Sequence, residues 1–162
     1  LVPLKERAKE KPVLLKLAPD LLDEEVDELA DLALELGIDG LILANTTIGR
    51  PGAENEPLAK EAGGMSGAPL LERAIALVAR VYRRPRGRLP LAGAGGLFEA
   101  EDAYRMIRAG ASLVQAYTGF IYQGPSFARS LERGLVERLQ KDGLSSIEEA
   151  VGKDAISESA AP

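Results

Sequence analysis

Four short apolar runs, each followed by polar or glycine residues and then by a stretch of helical spacing, organise this chain. The runs lie near Val13–Leu17, Leu41–Ala44, Leu91–Gly93 and Leu113–Ala116. They show little alternation of apolar and polar residues, which is typical of parallel strands buried on both faces. The pattern therefore predicts an α/β protein with one parallel sheet.

The segments between and after these runs repeat apolar residues at helical spacing. The predicted helices are Glu24–Leu36, Leu70–Tyr82, Glu99–Ala109, Ser126–Leu139 and Ser146–Val151. Asp23 is the predicted N-cap of the first helix, and Gly37 the predicted residue after its end. The Ser- and Ala-rich residues 152–162 are expected to form a mobile tail, so the folded domain is expected to span residues 1–151.

Polar residues and glycines that could bind a ligand lie at the ends of the four runs. Lys16 ends the first run, Asn45-Thr46-Thr47 the second, Gly93-Ala94-Gly95-Gly96 the third and Tyr117-Thr118-Gly119 the fourth. A parallel βα barrel builds its active site from strand carboxyl ends, and its last two such loops frequently bind phosphate. Open doubly wound sheets share the element order, but the short loops and polar tips favour a barrel of the TIM type.

Length and composition narrow this interpretation. The chain has 162 residues and begins with Leu1, whereas a whole barrel needs roughly 250 residues. We therefore expect a fragment with about strands five to eight, the C-terminal half of a barrel. The net charge of −5 argues against nucleic acid as a partner. The basic stretch Arg80–Arg88 is interpreted as a solvated helix end and loop.

Cysteine and histidine are both absent from the sequence. Their absence excludes disulfides and thiolate chemistry, and removes the commonest general base and metal ligand. We predict no metal site. No apolar run approaches the ~18 residues of a membrane span.

Each candidate residue has a structural and a functional interpretation. Lys16 is either a strand-end lysine that reaches water or a cation that stabilises negative charge on a reduced flavin. Asn45-Thr46-Thr47 is either a polar turn or an amide and hydroxyl directed at a polar planar ligand. The Gly93–Gly96 and Tyr117–Thr118 segments are either two tight turns or a shared N–H cradle for phosphate.

Five motifs together resemble the dihydroorotate dehydrogenase family, in its quinone-dependent class 2 branch. The motifs are Lys16-Leu17-Ala18-Pro19-Asp20, Ala44-Asn45-Thr46-Thr47, Gly63-Gly64-Met65-Ser66-Gly67, Gly93-Ala94-Gly95-Gly96 and the run from Arg108 to Thr118. The resemblance covers nearly the whole chain, in order and with suitable spacing.

The resemblance implies an FMN enzyme that oxidises dihydroorotate to orotate in de novo pyrimidine biosynthesis, with quinone as electron acceptor. It implies that Asn45 and Thr46 bind dihydroorotate or orotate. It further implies a cofactor-binding set that comprises Lys16, Ala44, Gly67, Gly95, Gly96, Tyr117 and Thr118. Ala44 stands where the family usually has Thr, which puts a side-chain contact there in doubt.

The resemblance also implies what the chain lacks. The family's catalytic Ser base and the membrane-associating helices that receive quinone belong to the N-terminal half, so we expect no catalytic base here and no turnover by the segment alone. We expect the other half of the barrel as a partner, and a cytoplasmic protein peripherally associated with the inner membrane. Two alternatives stay open: another phosphate-binding βα-barrel enzyme without flavin, and a non-catalytic half barrel that binds FMN or an anion.

Overall fold

A single four-stranded parallel sheet forms the centre of the protein, described by a computed structural model for residues 8, 11–85 and 87–157. The strands are β1 (Leu14–Leu17), β2 (Gly40–Leu43), β3 (Leu91–Ala94) and β4 (Leu113–Gln115). They pair in sequence order, and all three pairings are parallel. The predicted parallel α/β sheet is confirmed, and each predicted strand differs from the observed one by a single residue at one or both ends.

Six helices are described in full alongside the sheet. They are α1 (Asp23–Glu35), α2 (Leu71–Arg83), α3 (Ala100–Arg108), α4 (Thr118–Gln123), α5 (Phe127–Lys141) and α6 (Lys153–Ser157). Two short 3₁₀ turns, Pro57–Lys60 and Ala68–Leu70, lie in the long connection between β2 and α2. Among the described helices, none combines the length and the apolar character needed to cross a membrane.

The structure differs from the sequence predictions for the helices in three respects. The predicted helix Ser146–Val151 is wrong, because these residues form bends and turns. The short helix α4 was not predicted, since six residues are too few to show a helical period. The N-cap of α1 is Leu22 rather than Asp23, and the Leu22 N–H donates to the Glu25 carboxylate at 2.8 Å.

The folded part of the chain extends further toward the C-terminus than the sequence predicts. Residues 153–157 form α6, although they belong to the segment expected to be mobile. Ala155 is buried, and the Gly152 N–H donates to the carbonyl of Ile107 at 3.1 Å. The packed part of the chain therefore continues beyond Val151; residues 158–162 of the expected tail lie outside the described residues.

The two faces of the sheet have different environments. Leu17, Leu41 and Leu91 lie on the face that packs against the helices, and each is at most 4% exposed. On the opposite face, Leu14 and Leu113 are 42% and 67% exposed. They lie on β1 and β4, the outer strands of the described sheet. A sheet covered on one side and open on the other is the form expected of a barrel segment, whose inner face is closed by further strands.

A ladder of ion pairs joins α1 to α2. Asp23, Asp27 and Asp31 recur every fourth residue and therefore lie on one side of α1. Arg80 Nε lies 2.7 Å from Asp27 Oδ1, and Arg84 Nη2 lies 2.7 Å from Asp31 Oδ2. The predicted helix end in this basic stretch is confirmed, because α2 ends at Arg83, and two of its arginines also pair with the neighbouring helix.

Burial in the core yields a stability prediction. Leu77 on α2 is fully buried, so Leu77→Ala leaves a cavity and should lower the free energy of unfolding by about 2–5 kcal/mol. The control is Leu32→Ala on α1, because the Leu32 side chain is 38% exposed. This variant should lower the free energy of unfolding by no more than about 0.5 kcal/mol. Urea denaturation of both variants measures the difference. Equal losses would contradict the assigned core.

The ion-pair ladder yields a prediction about titration. The hydrogen bond from Arg84 holds the pKa of Asp31 below its ordinary value, with burial acting in the opposite direction. A lowered pKa in the folded state means that the stabilisation exists above the unfolded-state pKa and disappears as the pH falls through the folded-state pKa. Arg84→Gln should therefore raise the pKa of Asp31 toward its ordinary value, as followed by carboxyl NMR titration.

The same fold supplies the matched control for that titration. Arg105 lowers the pKa of Glu72 in the same way, through a hydrogen bond between α3 and α2. Arg105→Gln should raise the pKa of Glu72 and leave that of Asp31 unchanged. A rise of both carboxyl pKa values in either variant would mean that the helices, rather than the pairs, had been disturbed.

Candidate functional site

A cleft of about 500 Å³ lies at the carboxyl ends of the four strands. Every candidate site residue predicted from the sequence lines it: Lys16, Ala44, Asn45, Thr46, Gly67, Gly95, Gly96, Tyr117 and Thr118. Parallel pairing explains this grouping, because it places the carboxyl ends of all four strands at one edge of the sheet. The structure thus brings together residues that are far apart in the sequence.

The residues that follow β2, here called the tip of β2, are held in place by a buried hydroxyl. Thr47 is 7% exposed, and its hydroxyl donates to a carboxylate oxygen of Asp20. The other oxygen of Asp20 accepts from the Ile48 N–H at 3.2 Å, so two groups of the tip bind one carboxylate. The preceding residues Asn45 and Thr46 are exposed in the cleft. The tip can therefore present an amide and a hydroxyl to a ligand without needing them for its own fold.

The long loop after β2 returns to the same cleft. Thr47 and Met65 form a two-hydrogen-bond antiparallel bridge, with N···O distances of 3.1 and 2.8 Å. The returning chain then places Ser66 beside α4, where the Thr118 hydroxyl donates to the Ser66 hydroxyl at 2.9 Å. The loop consequently joins the tip of β2 to the tip of β4 across the cleft mouth.

The turn after β3 is the candidate anion cradle of the cleft. The N–H groups of Phe98 and Glu99 both donate to Asp102 at 2.9 Å. Those of Gly95 and Gly96 have no hydrogen-bond acceptor within the part of the chain that the structure describes. N–H groups in such a turn attract anions because each carries a partial positive charge. The cradle lies in the same cleft as the Thr118 hydroxyl.

Gly96 can be only glycine in this turn. Its φ is +77°, and a Cβ added there would lie 2.5 Å from the backbone nitrogen of Leu71. The backbone of the turn is thus pressed against the start of α2. This close approach leaves no room for a side chain at position 96.

Lys16 supplies the cation of the cleft. It lies on β1 opposite Ile42 of β2, on the open face of the sheet, and its side chain is exposed. Gly95, Gly96 and Thr118, which follow β3 and β4, line the other side of the same cleft. The arrangement suits an elongated ligand with one anionic end and one polar planar end. Among the described residues, no cluster of three or more metal-ligating His, Cys, Asp or Glu side chains exists.

Some cleft residues were missed by sequence reasoning. Leu70 and Leu97 form an apolar wall and are 5% and 2% exposed, while Gln115 and Ser66 add polar groups. Gln115 could have been found, because period-two alternation from Leu113 places it on the open face. Leu70 and Leu97 carried no signal, since an apolar residue beside a turn usually belongs to the core.

Comparison with known proteins identifies the family. Residues 1–139 match the family model described as dihydroorotate dehydrogenase. A protein named dihydroorotate dehydrogenase (quinone) from Anaeromyxobacter sp. is 52% identical over 151 residues, and one of the same name from Nocardia farcinica is 51% identical over 146 residues. These alignments cover 93% and 88% of this chain, and 42% and 40% of the relatives.

Solved structures agree with the sequence comparison. The crystal structure of dihydroorotate dehydrogenase from Eimeria tenella in complex with ferulenol superimposes with a TM-score of 0.84 at 38% identity. The superposition covers 94% of this chain and 44% of that chain. The chain therefore spans about two fifths of the length of its relatives, which accords with a partial barrel.

The close contact at Gly96 yields a prediction with a matched control. Gly96→Ala forces a Cβ against the Leu71 backbone at a positive φ, whereas Gly143→Ala meets open space at a φ of +68°. Both variants should incur similar backbone strain. The free energy of unfolding of Gly96→Ala should fall by at least about 1 kcal/mol more than that of Gly143→Ala, because the backbone of α2 must move. Urea unfolding measures both, and equal losses would contradict the close approach.

Proposed function

Since the chain belongs to the dihydroorotate dehydrogenase family, we propose that it is the part of a quinone-dependent dihydroorotate dehydrogenase that holds FMN and one side of the substrate. The observation that carries the proposal is the convergence of all nine predicted site residues on one cleft. Four different strand tips contribute to that cleft, which is the construction of a barrel active site.

The phosphate of FMN would be held at the β3 and β4 side of the cleft. Gly95 and Gly96 would donate backbone N–H groups, and Thr118 a hydroxyl, while Tyr117 and Gly67 border the same space. The fit is supported by the positive φ values of Gly67 and Gly96, +98° and +77°, which bring backbone rather than side chains to the cleft. Neutral N–H donors suit a phosphate group without the cost of burying a cation.

The opposite side of the cleft would hold the flavin ring and the substrate. Bound FMN supplies the two-electron acceptor for the hydride removed from dihydroorotate. Lys16 would place a positive charge beside the pyrimidine edge of the ring, and Ala44 would contact it through the backbone. Asn45 can donate and accept hydrogen bonds at once, which suits the carbonyl and N–H groups of orotate. Thr46 would add one hydroxyl to the same ligand.

The remaining parts of the activity belong to the other half of the barrel. Removal of a proton from dihydroorotate requires a positioned base, and neither an amide nor an unactivated threonine supplies one. We propose that the absent strands contribute a serine base, and that the same half receives quinone at the inner membrane from the cytoplasmic side. The segment alone would then bind FMN weakly or not at all and would not turn over dihydroorotate.

The proposed role of Lys16 is tested in the complete protein. Lys16→Ala should lower the reduction potential of bound FMN by tens of millivolts, because the cation stabilises the negative charge of reduced flavin. A change of 30 mV in a two-electron couple corresponds to about 1.4 kcal/mol. Spectroelectrochemical titration measures the potential.

An exposed lysine outside the cleft provides the control for Lys16. Lys141→Ala removes an exposed lysine of α5, outside the cleft, and should leave the potential unchanged. An unchanged potential in Lys16→Ala would reduce Lys16 to a strand-end lysine. A complete protein that purifies without flavin and does not oxidise dihydroorotate would overturn the proposed function itself.

A further inference from the structure

One guanidinium organises the loop between β2 and the Gly-rich segment. The five carbonyls that accept hydrogen bonds of 2.8–3.1 Å from Arg50 are those of Ile48, Gly49, Ala59, Glu61 and Gly63. Two of them belong to the outgoing arm of the loop, and three to the returning arm. Arg50 thus ties the arms together, although it does not itself line the cleft.

The returning arm is set directly against a candidate substrate-binding residue. A Cβ added to Gly64 would lie 2.1 Å from Thr46 Oγ1 and 2.5 Å from Thr46 Cβ, so the backbone of Gly64 contacts the Thr46 side chain. Arg50 binds the carbonyl of Gly63, which belongs to the peptide that leads into Gly64. On the other side of this contact, Met65 is paired to Thr47. The position of the Thr46 hydroxyl therefore depends on where the returning arm lies.

We propose that Arg50 is a positioning residue for the substrate: by joining the two arms, it holds the Gly64 backbone against Thr46 and fixes the direction of the Thr46 hydroxyl in the cleft. This inference rests on the proposed function, since it takes Thr46 to contact dihydroorotate. Arg50 acts through the loop and does not contact the substrate.

Arginine is the side chain suited to this task. Its planar guanidinium offers five N–H donors in a fixed fork, and the five carbonyl bonds use all three of its nitrogens. Lysine has three donors on one nitrogen and cannot reach acceptors spread over both arms. The carbonyls belong to backbone that needs donors in any case, so the guanidinium fills its donors with main-chain acceptors.

The inference is tested with the complete flavoprotein. Arg50→Ala and Arg50→Lys should each raise the KM for dihydroorotate, and the Kd for orotate measured by calorimetry, by about tenfold or more, because a small misplacement of a substrate contact weakens binding strongly. The FMN content should stay at the parent level. Guanidinium ion at millimolar concentration should partly restore the orotate Kd of Arg50→Ala but not that of Arg50→Lys.

Arg88→Ala is the matched control for these variants. Arg88 also donates to a backbone carbonyl, that of Pro85, at 3.0 Å, but it lies outside the cleft and its loop. Its substitution should leave both KM and Kd within about twofold of the parent. A similar rise of KM and Kd in Arg88→Ala would mean that the effect of Arg50 is general rather than local, which would overturn the proposal.

Gly64→Ala tests the contact with Thr46 separately. It keeps Arg50 in place and pushes the Thr46 side chain directly, so it should also weaken orotate binding. Because both changes act on Thr46, the double variant should lose less binding free energy than the sum of the two single losses. Additive losses, or an unchanged Kd in Gly64→Ala, would overturn the role of Arg50.

Measurements on the parent protein distinguish a failure of the proposed function from a failure of the role of Arg50. A parent that neither oxidises dihydroorotate nor binds orotate would overturn the proposed function. A parent that does both, with KM and Kd unchanged in Arg50→Ala, would leave the proposed function standing and overturn only the role of Arg50.

Discussion

Parallel pairing of four short strands is the constraint on which the site depends. The register runs without interruption from Leu14 opposite Gly40 to Ala94 opposite Gln115. Because the strands are parallel, their carboxyl ends share one edge, and each connection must cross back over the covered face of the sheet. Helices bury that face, and the tips are left as the place where polar residues converge. A shift of one residue in any pairing would turn the lining side chains to the other face.

Arginines do two different kinds of work in this molecule. Arg80 on α2 and Arg84 just beyond its end meet carboxylates at partly exposed positions, where solvent screens much of the attraction. Arg50 in the loop after β2 and Arg73 on α2 also satisfy backbone carbonyls; Arg73 donates to Pro19 and Leu21 at 3.0 and 2.9 Å, and to Asp23 at 3.2 Å. The second kind matters more for the cleft, because it fixes backbone that carries Asp20 and Thr47. Irregular loops become rigid where their carbonyls find such donors.

The sequence predicts the strands, the long helices and the candidate residues that line the cleft. It does not predict the hydrogen bonds that shape the cleft. Strands and long helices follow from periodic apolar residues, since burial of one face decides them. The turns at 146–151 were mistaken for a helix because their composition, with Ser145 before Glu148 and Glu149, is also that of a helix start. The five acceptors of Arg50 exist only once the loop has folded, so no spacing in the sequence marks them.

The way in which Arg50 holds its loop has a consequence for how this stretch can evolve. The acceptors are main-chain carbonyls, which every amino acid possesses, so these hydrogen bonds do not depend on which side chains stand at Ala59 and Glu61. Substitutions at these two positions keep the hydrogen bonds as long as the path of the chain persists, whereas Glu54 differs because its side chain accepts from the Gly52 N–H at 3.1 Å. A change of loop length would be tolerated far less, because it would move the carbonyls out of reach of the fork. The side chains at these acceptor positions can thus change while the loop keeps its length and its hydrogen bonds to Arg50.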